Sequence, residues 1–230
     1  MVRLRAALDA VGFDAVASPL MSRKLATGAL RRASNVLKAI EMIAALRLPS
    51  EVNALGRVLC EMLYDCAWVH TAHEKNRSAK EREEKAQWLV DKTTVEGVRL
   101  LHRWAVFGYG MADLSAADGR ASSARARQGW TRSKPPEHPN LHDRAKEIGP
   151  SFLENYALFY QQMYLDPIVQ PASDSKGDDA ELELERSLFM ALGSAQRLGQ
   201  VCCALLQRED GIGPLETYLP KAGARAKVAQ

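Results

Sequence analysis

Apolar residues recur at intervals of three and four over most of this chain. That interval is typical of amphipathic α-helices, and it predicts main helices over about 22–48, 50–70, 88–105, 151–166 and 178–208, with a short helix over 2–11. No segment shows the strict alternation of a half-buried β-strand. The pattern therefore predicts an all-α protein, a helical bundle of about five main helices forming one domain over 1–218. The basic tail 219–230 is expected to be disordered.

The helix predicted over 50–70 carries two distinct faces. At about 100° per residue, one face collects apolar side chains: Val52, Leu55, Leu59, Met62, Leu63 and Cys66. The opposite face carries Arg57, Glu61, Tyr64 and Trp68, whereas a purely solvated face would favour Lys, Glu and Gln. We therefore expect this helix to be covered on both sides. Arg57 and Glu61 are candidate catalytic residues, with the guanidinium holding an anion and the carboxylate orienting it or acting as a base. The alternative is an Arg–Glu pair that bridges two helices.

Residues 119–150 differ from the rest because positive charge and proline concentrate there. The first half of this segment contains five cations and no acid: Arg120, Arg125, Arg127, Arg132 and Lys134. Pro135, Pro136 and Pro139 interrupt any continuous helix, so the segment is predicted to be a long basic loop with room for a short helix at its start. Together with Trp130, the five cations are candidate nucleic-acid-binding residues, since cations and a stackable ring suit a phosphate backbone and its bases. The alternative is a solvated loop that contributes solubility.

Composition places the chain among ordinary globular proteins. Apolar residues make up 47% and charged residues 26%, and the net charge of +3 is too small to indicate a nucleic-acid partner by itself. No run approaches the roughly 18 apolar residues of a membrane span, and the first residues lack the apolar stretch of a signal peptide. A cytoplasmic location without a membrane partner is therefore expected. The four cysteines form no C-x-x-C motif, so they are expected to be small reduced core residues.

Motifs for a metal or a cofactor are absent from the sequence. His70 and His73 share a helix face, but two ligands do not complete a zinc site. His138 and His142 lie close together after the prolines without a catalytic motif around them. The chain has no P-loop, dinucleotide fingerprint, H-E-x-x-H or G-x-S-x-G sequence. We therefore predict neither a metal nor a cofactor.

Two segments carry a family resemblance. The block LGRVLCEMLYDCAWVH resembles the Arg-x-x-x-Glu helix of a bacterial and phage-associated helical family of unknown function. The later segment NYALFYQQMYLDPIVQPAS resembles that family's Tyr-rich helix, with Tyr156, Tyr160 and Pro171 in place and Gln170 where the family usually has His. The resemblance spans roughly 25–172. It implies a helical protein of a mobile-element or phage-defence system.

A wider similarity is to HEPN-like helical domains, many of which are RNases. Their signature is an Arg followed four to six residues later by His on one helix. Arg132 and His138 have that spacing here, but Pro135 and Pro136 lie between them. The resemblance therefore implies a HEPN-like protein without the usual active site.

Three functions follow from these observations. The first is a non-catalytic interaction or regulatory protein, with a protein partner or a second copy of itself. The second is a nucleic-acid-binding protein or RNase that uses Arg57 and Glu61 as its site. The third is a metal-dependent helical enzyme, for which carboxylates and imidazoles are available on the same helix: Glu61, Asp65, His70 and His73.

Overall fold

A computed structural model of the 230-residue chain describes residues 1–13, 19–74, 79–106, 114–131, 139–160, 177–208, 211–214 and 217–218. The helices are α1 (Val2–Phe13), α2 (Met21–Ala45), α3 (Pro49–Glu74), α4 (Ala79–Val106), α5 (Leu114–Gln128), α6 (Leu141–Ile148), α7 (Pro150–Asn155) and α8 (Gly177–Leu206). A single π-helical turn, Tyr156–Tyr160, follows α7. No strand occurs in these parts of the chain, which confirms the predicted all-α class.

Helix α3 lies at the centre of the bundle, in contact with α2, α4, α6 and α8. Its predicted apolar face is buried, with Val52, Leu59, Leu63 and Cys66 each at most 4% exposed. These side chains join the main core, which also draws on α1, α2 and α8. Each large aliphatic side chain buried in this way contributes about 1.5–3 kcal/mol relative to exposure. The spacing of apolar residues was therefore sufficient to orient α3.

Helix α8 approaches its neighbours closely at Gly199. A Cβ atom at this position would lie 2.7 Å from both Cγ1 of Ile212 and Cδ2 of Leu8. Such a distance is well inside van der Waals contact, so the missing side chain is what allows α1 and the segment after α8 to pack here. This contact holds α8 against the main core, and α8 in turn forms one wall of the site described below.

The predicted basic loop over 119–150 is wrong for most of its length. Helix α5 extends to Gln128, and α6 occupies the segment after the prolines. The buried face of α5 consists only of small residues, Ala117, Ala121 and Ala124, which pack on Val95 and Val98 of α4. Small side chains give no visible apolar stripe in the sequence, but they allow two helices to lie close together. The cluster formed by α4 and α5 is a second, smaller core.

The starts of α6 and α4 each involve polar residues. Helix α6 begins with a capping box in which Asn140 accepts from the amide of Asp143 and Asp143 accepts in return. Helix α4 begins at Ala79, and in its charged first turns the Lys85 side chain is only 10% exposed. The predicted disordered tail 219–230 lies outside the described residues. None of the described helices is both long and apolar enough to cross a membrane.

Candidate functional site

The two candidate residues Arg57 and Glu61 meet a third side chain, Tyr160. Because they are four residues apart on α3, their side chains lie side by side, with Nε of Arg57 3.1 Å from Oε1 of Glu61. The hydroxyl of Tyr160 donates to the same Oε1 at 2.8 Å, and Nε of Arg57 donates to that hydroxyl at 3.2 Å. The guanidinium also lies over the tyrosine ring, 5.3 Å from its centroid. The three groups thus form a closed triangle, named here the Arg57 triad.

The electrostatics of the Arg57 triad favour one protonation state. Burial, and then the hydrogen bond to Glu61, raise the pKa of Tyr160 to about 12, so the phenol keeps its proton. Burial alone would lower the pKa of Arg57, but the bonds to Tyr160 and Glu61 outweigh it and raise that pKa. A guanidinium, a carboxylate and a neutral phenol therefore satisfy one another. The Arg57 and Glu61 side chains remain 35% and 43% exposed, which places the triad at the edge of the bundle.

The aromatic part of the same α3 face is covered, as predicted. Tyr64 is 1% exposed and donates its hydroxyl to the carbonyl of Phe152 at 2.8 Å. Trp68 is 7% exposed and donates its indole N–H to Glu147 of α6 at 2.6 Å. The ammonium of Lys85 lies 4.5 Å from the Trp68 ring centroid and binds the same carboxylate. Helices α6 and α7 therefore close the side of α3 that faces away from the main core.

A second ion pair lies beside the Arg57 triad. Arg144 of α6 binds Asp65 of α3, and only 7% of Arg144 is exposed. Its burial lowers the pKa of the guanidinium, while the nearby Glu61 and Tyr160 act in the opposite direction. The Nε atom of Arg144 is buried and has no hydrogen-bond partner among the described residues. The structural alternative was an Arg–Glu pair that bridges two helices. An ion pair does bridge α3 and α6, but its carboxylate is Asp65 and not Glu61.

A cavity of about 400 Å³ lies next to this face, between α3 and α8. Its floor includes Cys60 and Tyr64, and α8 contributes Met190, Ser194 and Arg197. Burial raises the pKa of the Cys60 thiol to about 12, so the sulfur is protonated and a poor nucleophile. All four cysteines are buried and free, which confirms their predicted role as small core residues.

The predicted nucleic-acid-binding residues occupy different environments. Arg127 binds the buried carboxylate of Asp91, with Nη2 2.6 Å from Oδ1, so its charge is already matched. Trp130 is half-buried and packs against Trp88, with ring centroids 6.1 Å apart. Arg120 is exposed on α5. The side chains of Arg132 and Lys134 lie outside the described residues, as does that of Gln170.

Arg125 lies on a different side of α5 from Arg127. It lines a small hollow of about 240 Å³ together with Arg99, His102 and Asp118. Within that hollow His102 and Asp118 are paired at 2.8 Å. The structure therefore brings Arg125 next to Arg99 of α4, a cation that the sequence analysis did not include.

The metal-site hypothesis finds little support in the described residues. No three side chains of His, Cys, Asp or Glu come together there in a way that could hold a metal ion. His70 is half-buried at the end of α3, and the side chain of His73 lies outside the described part of the chain. His142 rests against the ring of Tyr156, with centroids 5.5 Å apart.

Sequence reasoning missed two residues that define these sites. Tyr160 completes the Arg57 triad, and the family resemblance had already marked this tyrosine without assigning it a role. Asp91 accepts from three side chains on two helices, yet nothing in its local sequence distinguishes it from the other acids of α4. Long-range partners of this kind are visible only after folding.

Comparisons of the chain with models of known protein families, with curated proteins and with solved structures find no match. The resemblance described above was not tested by these comparisons and stays a prediction. Function must therefore be inferred from the geometry of the molecule.

Proposed function

We propose that this protein acts by binding a partner and not by catalysis. The observation that carries the proposal is the closed Arg57 triad, in which guanidinium, carboxylate and phenol are matched to one another. Within the triad, Nε of Arg57 and Oε1 of Glu61 are each bonded to both of the other groups, so these two atoms are committed to the protein. Paired charges of this kind are more typical of a structural role.

Exposed apolar side chains support a binding role. Met42 and Leu46, at the end of α2, are 66% and 68% exposed, and Leu182 near the start of α8 is 67% exposed. Arg23 at the start of α2 donates to Gln207 just after α8, so these helices are antiparallel. Their exposed apolar residues therefore lie toward the same end of the bundle, and grouped exposure of this type is typical of interaction surfaces. The family resemblance adds a mobile-element or phage-defence setting to the proposal.

Incubation of the purified chain with labelled RNA and DNA, with and without magnesium, tests the proposal. The matched variant is Arg57→Gln/Glu61→Gln, which removes both charges and leaves a polar amide at each position. We expect intact nucleic acid with either protein. Cleavage by the unmodified chain that the double variant lacks would overturn the proposal and make the Arg57 triad an active site.

A second candidate function, binding of a phosphate backbone, has one specific observation in its favour. Arg99 and Arg125 line the same hollow between α4 and α5, and Arg103 and Arg120 are exposed on the same two helices. A group of cations on adjacent helices is the electrostatic footprint of a nucleic-acid-binding surface. Arg127 is not part of this surface in our proposal, because Asp91 neutralises it.

Fluorescence anisotropy with labelled single-stranded RNA over a series of salt concentrations tests the second candidate. If it holds, affinity falls steeply with salt, and Arg99→Gln/Arg125→Gln weakens binding and flattens the salt dependence. Arg31→Gln, an exposed arginine of α2, is the matched control and should change neither. Equal binding by both variants would exclude the α4–α5 surface.

A further inference from the structure

The cavity between α3 and α8 has the size and lining of a small-molecule site. Its volume of about 400 Å³ falls within the range of pockets that enclose organic ligands. Apolar and aromatic groups dominate the walls, including Tyr64, Phe152 and Met190, and the ring of Phe189 is 56% exposed. The Tyr64 hydroxyl is engaged by the Phe152 carbonyl, so the tyrosine offers its ring and not its polar end.

The polar groups of the cavity point to an anion. Among the described residues that line it, Arg197 alone has a charge, and no carboxylate is present. Its charge reaches the cavity floor, where it lowers the pKa values of Cys60 and Tyr64 against the larger effect of burial, while Glu61 of the Arg57 triad raises that of Cys60. Within the described chain Arg197 makes no hydrogen bond or ion pair, and its side chain is exposed. It is therefore unlike Arg57, Arg127 and Arg144, each of which is held by a carboxylate.

Other polar side chains in the lining are already engaged or uncharged. The amides of Gln196 and Gln200 donate to the carbonyls of Gly213 and Ile212. Ser194 is bonded to the protonated thiol of Cys60. The cavity thus combines apolar walls with one available cation at its side. Such a lining favours a ligand that has an apolar body and one negatively charged group.

We propose that this cavity binds a small organic anion whose aromatic or aliphatic body is seated between Tyr64 and Met190 and whose carboxylate pairs with Arg197. The site is separate from the Arg57 triad and does not depend on whether the protein is an enzyme. It gives a binding protein a means of responding to a metabolite that carries an acid group on an apolar frame.

Isothermal titration calorimetry of the full chain with naphthoate, and with naphthamide as a neutral ligand of the same shape, tests this assignment. We expect naphthoate to bind at least about tenfold more tightly than naphthamide, because only the carboxylate forms a charge-assisted pair. Arg197→Gln should reduce the affinity for naphthoate to that for the amide. Arg31→Gln, an exposed arginine on α2, should leave the affinity for both ligands unchanged.

A second variant checks that the ligand occupies this cavity. Ser194→Leu adds bulk inside the cavity and leaves Arg197 in place, so it should abolish naphthoate binding while circular dichroism and the thermal midpoint remain close to those of the unmodified chain. Equal affinity for naphthoate and naphthamide, no binding of either ligand at millimolar concentration, or full binding by a folded Ser194→Leu variant would each overturn the proposal.

Discussion

Two arginine–carboxylate pairs in this molecule have the same chemistry but differ in exposure, one being partly exposed and the other having a buried carboxylate. In the α3 pair, Arg57 and Glu61 are neighbours along one helix, and both side chains keep more than a third of their surface exposed. In the α4–α5 pair, Arg127 reaches across from α5 to Asp91, whose side chain is 1% exposed. From the sequence, Arg57 and Glu61 were candidate catalytic residues with a structural ion pair as the alternative, and Arg127 was a candidate nucleic-acid-binding residue with a solvated loop as the alternative.

The difference predicts that burial, and not the pairing of charges, decides how much a carboxylate contributes to stability. Water competes for Glu61, so its bond to Arg57 has a small net effect. The buried carboxylate of Asp91 depends on Arg127, Gln128 and Gln87 for its hydrogen bonds. Burial alone would raise the pKa of Asp91, yet these three donors outweigh it and lower that pKa. Asp91 is therefore a structural centre that joins α4 to α5.

The largest expected effect comes from removing the buried carboxylate. Asp91→Ala leaves three donors on α4 and α5 without their acceptor, and we expect the free energy of unfolding to fall by about 3 kcal/mol. Urea unfolding followed by circular dichroism measures this change. Glu84→Ala on the same helix, where the side chain is 63% exposed, is the control and should change stability by less than about 0.5 kcal/mol. Equal losses would show that the burial of Asp91 is not what matters.

Acid should reproduce the effect of Asp91→Ala on stability. Since the pKa of Asp91 is lowered in the folded state, the unfolded chain binds its proton more readily, and the stability from this group is fully present above the unfolded value of about 3.9. That contribution is lost as the pH falls through the lowered pKa. The difference in unfolding free energy between the unmodified chain and Asp91→Ala should therefore shrink steadily below about pH 4. If the difference in unfolding free energy between the two proteins stays constant down to about pH 2, this account is contradicted.

A smaller loss of stability is expected when Arg127, the arginine of the buried pair, is replaced. Arg127→Ala leaves Asp91 with two neutral amide donors, and we expect a loss of about 2 kcal/mol. Arg120→Ala removes an exposed arginine from the same helix and should have almost no effect. Thermal melts of the two variants side by side give the comparison. If both melt together with the unmodified chain, then Arg127 contributes no more than an exposed arginine, as in the solvated alternative.

The exposed pair should contribute least to stability. Arg57→Ala and Glu61→Ala are each expected to lower the free energy of unfolding by roughly 0.5 kcal/mol, the usual range of a half-exposed ion pair. Added salt should reduce even this difference. Urea unfolding at low and high salt tests the expectation. A loss as large as that of Asp91→Ala would mean that the Arg57 triad supports the bundle more strongly than its exposure indicates.

The charge of Glu61 should affect the pKa of Tyr160 rather than stability. Glu61 is one of the causes that raise the pKa of Tyr160 to about 12, after burial itself. Glu61→Gln should therefore lower that pKa, and carbon NMR of labelled tyrosines during an alkaline titration can follow it. Tyr160→Phe identifies the resonance by its absence. An unchanged titration in Glu61→Gln would show that the phenol and the carboxylate do not interact in solution.

Local sequence was enough to predict much of the fold. The spacing of apolar residues determined where α3 lies and which face it buries, because a helix places residues three and four apart on the same side. The spacing did not reveal the full length of α5, whose buried face is alanine. It also missed α6 after the prolines, where the capping box of Asn140 and Asp143 begins a helix. Small side chains and caps act through contacts that a count of large apolar residues does not register.

By itself the sequence determined that the chain is helical, that α3 is covered on two sides, and that Arg57 and Glu61 lie next to each other. Each of these depends on residues close together along the chain. Only the tertiary structure decided that Tyr160 meets Glu61 across 99 positions, and that Asp91 meets Arg127 across 36. It also placed Arg197 beside a cavity without a partner among the described residues. The physical reason is that burial and partners at long range are properties of packed helices, and no spacing along a single helix encodes them.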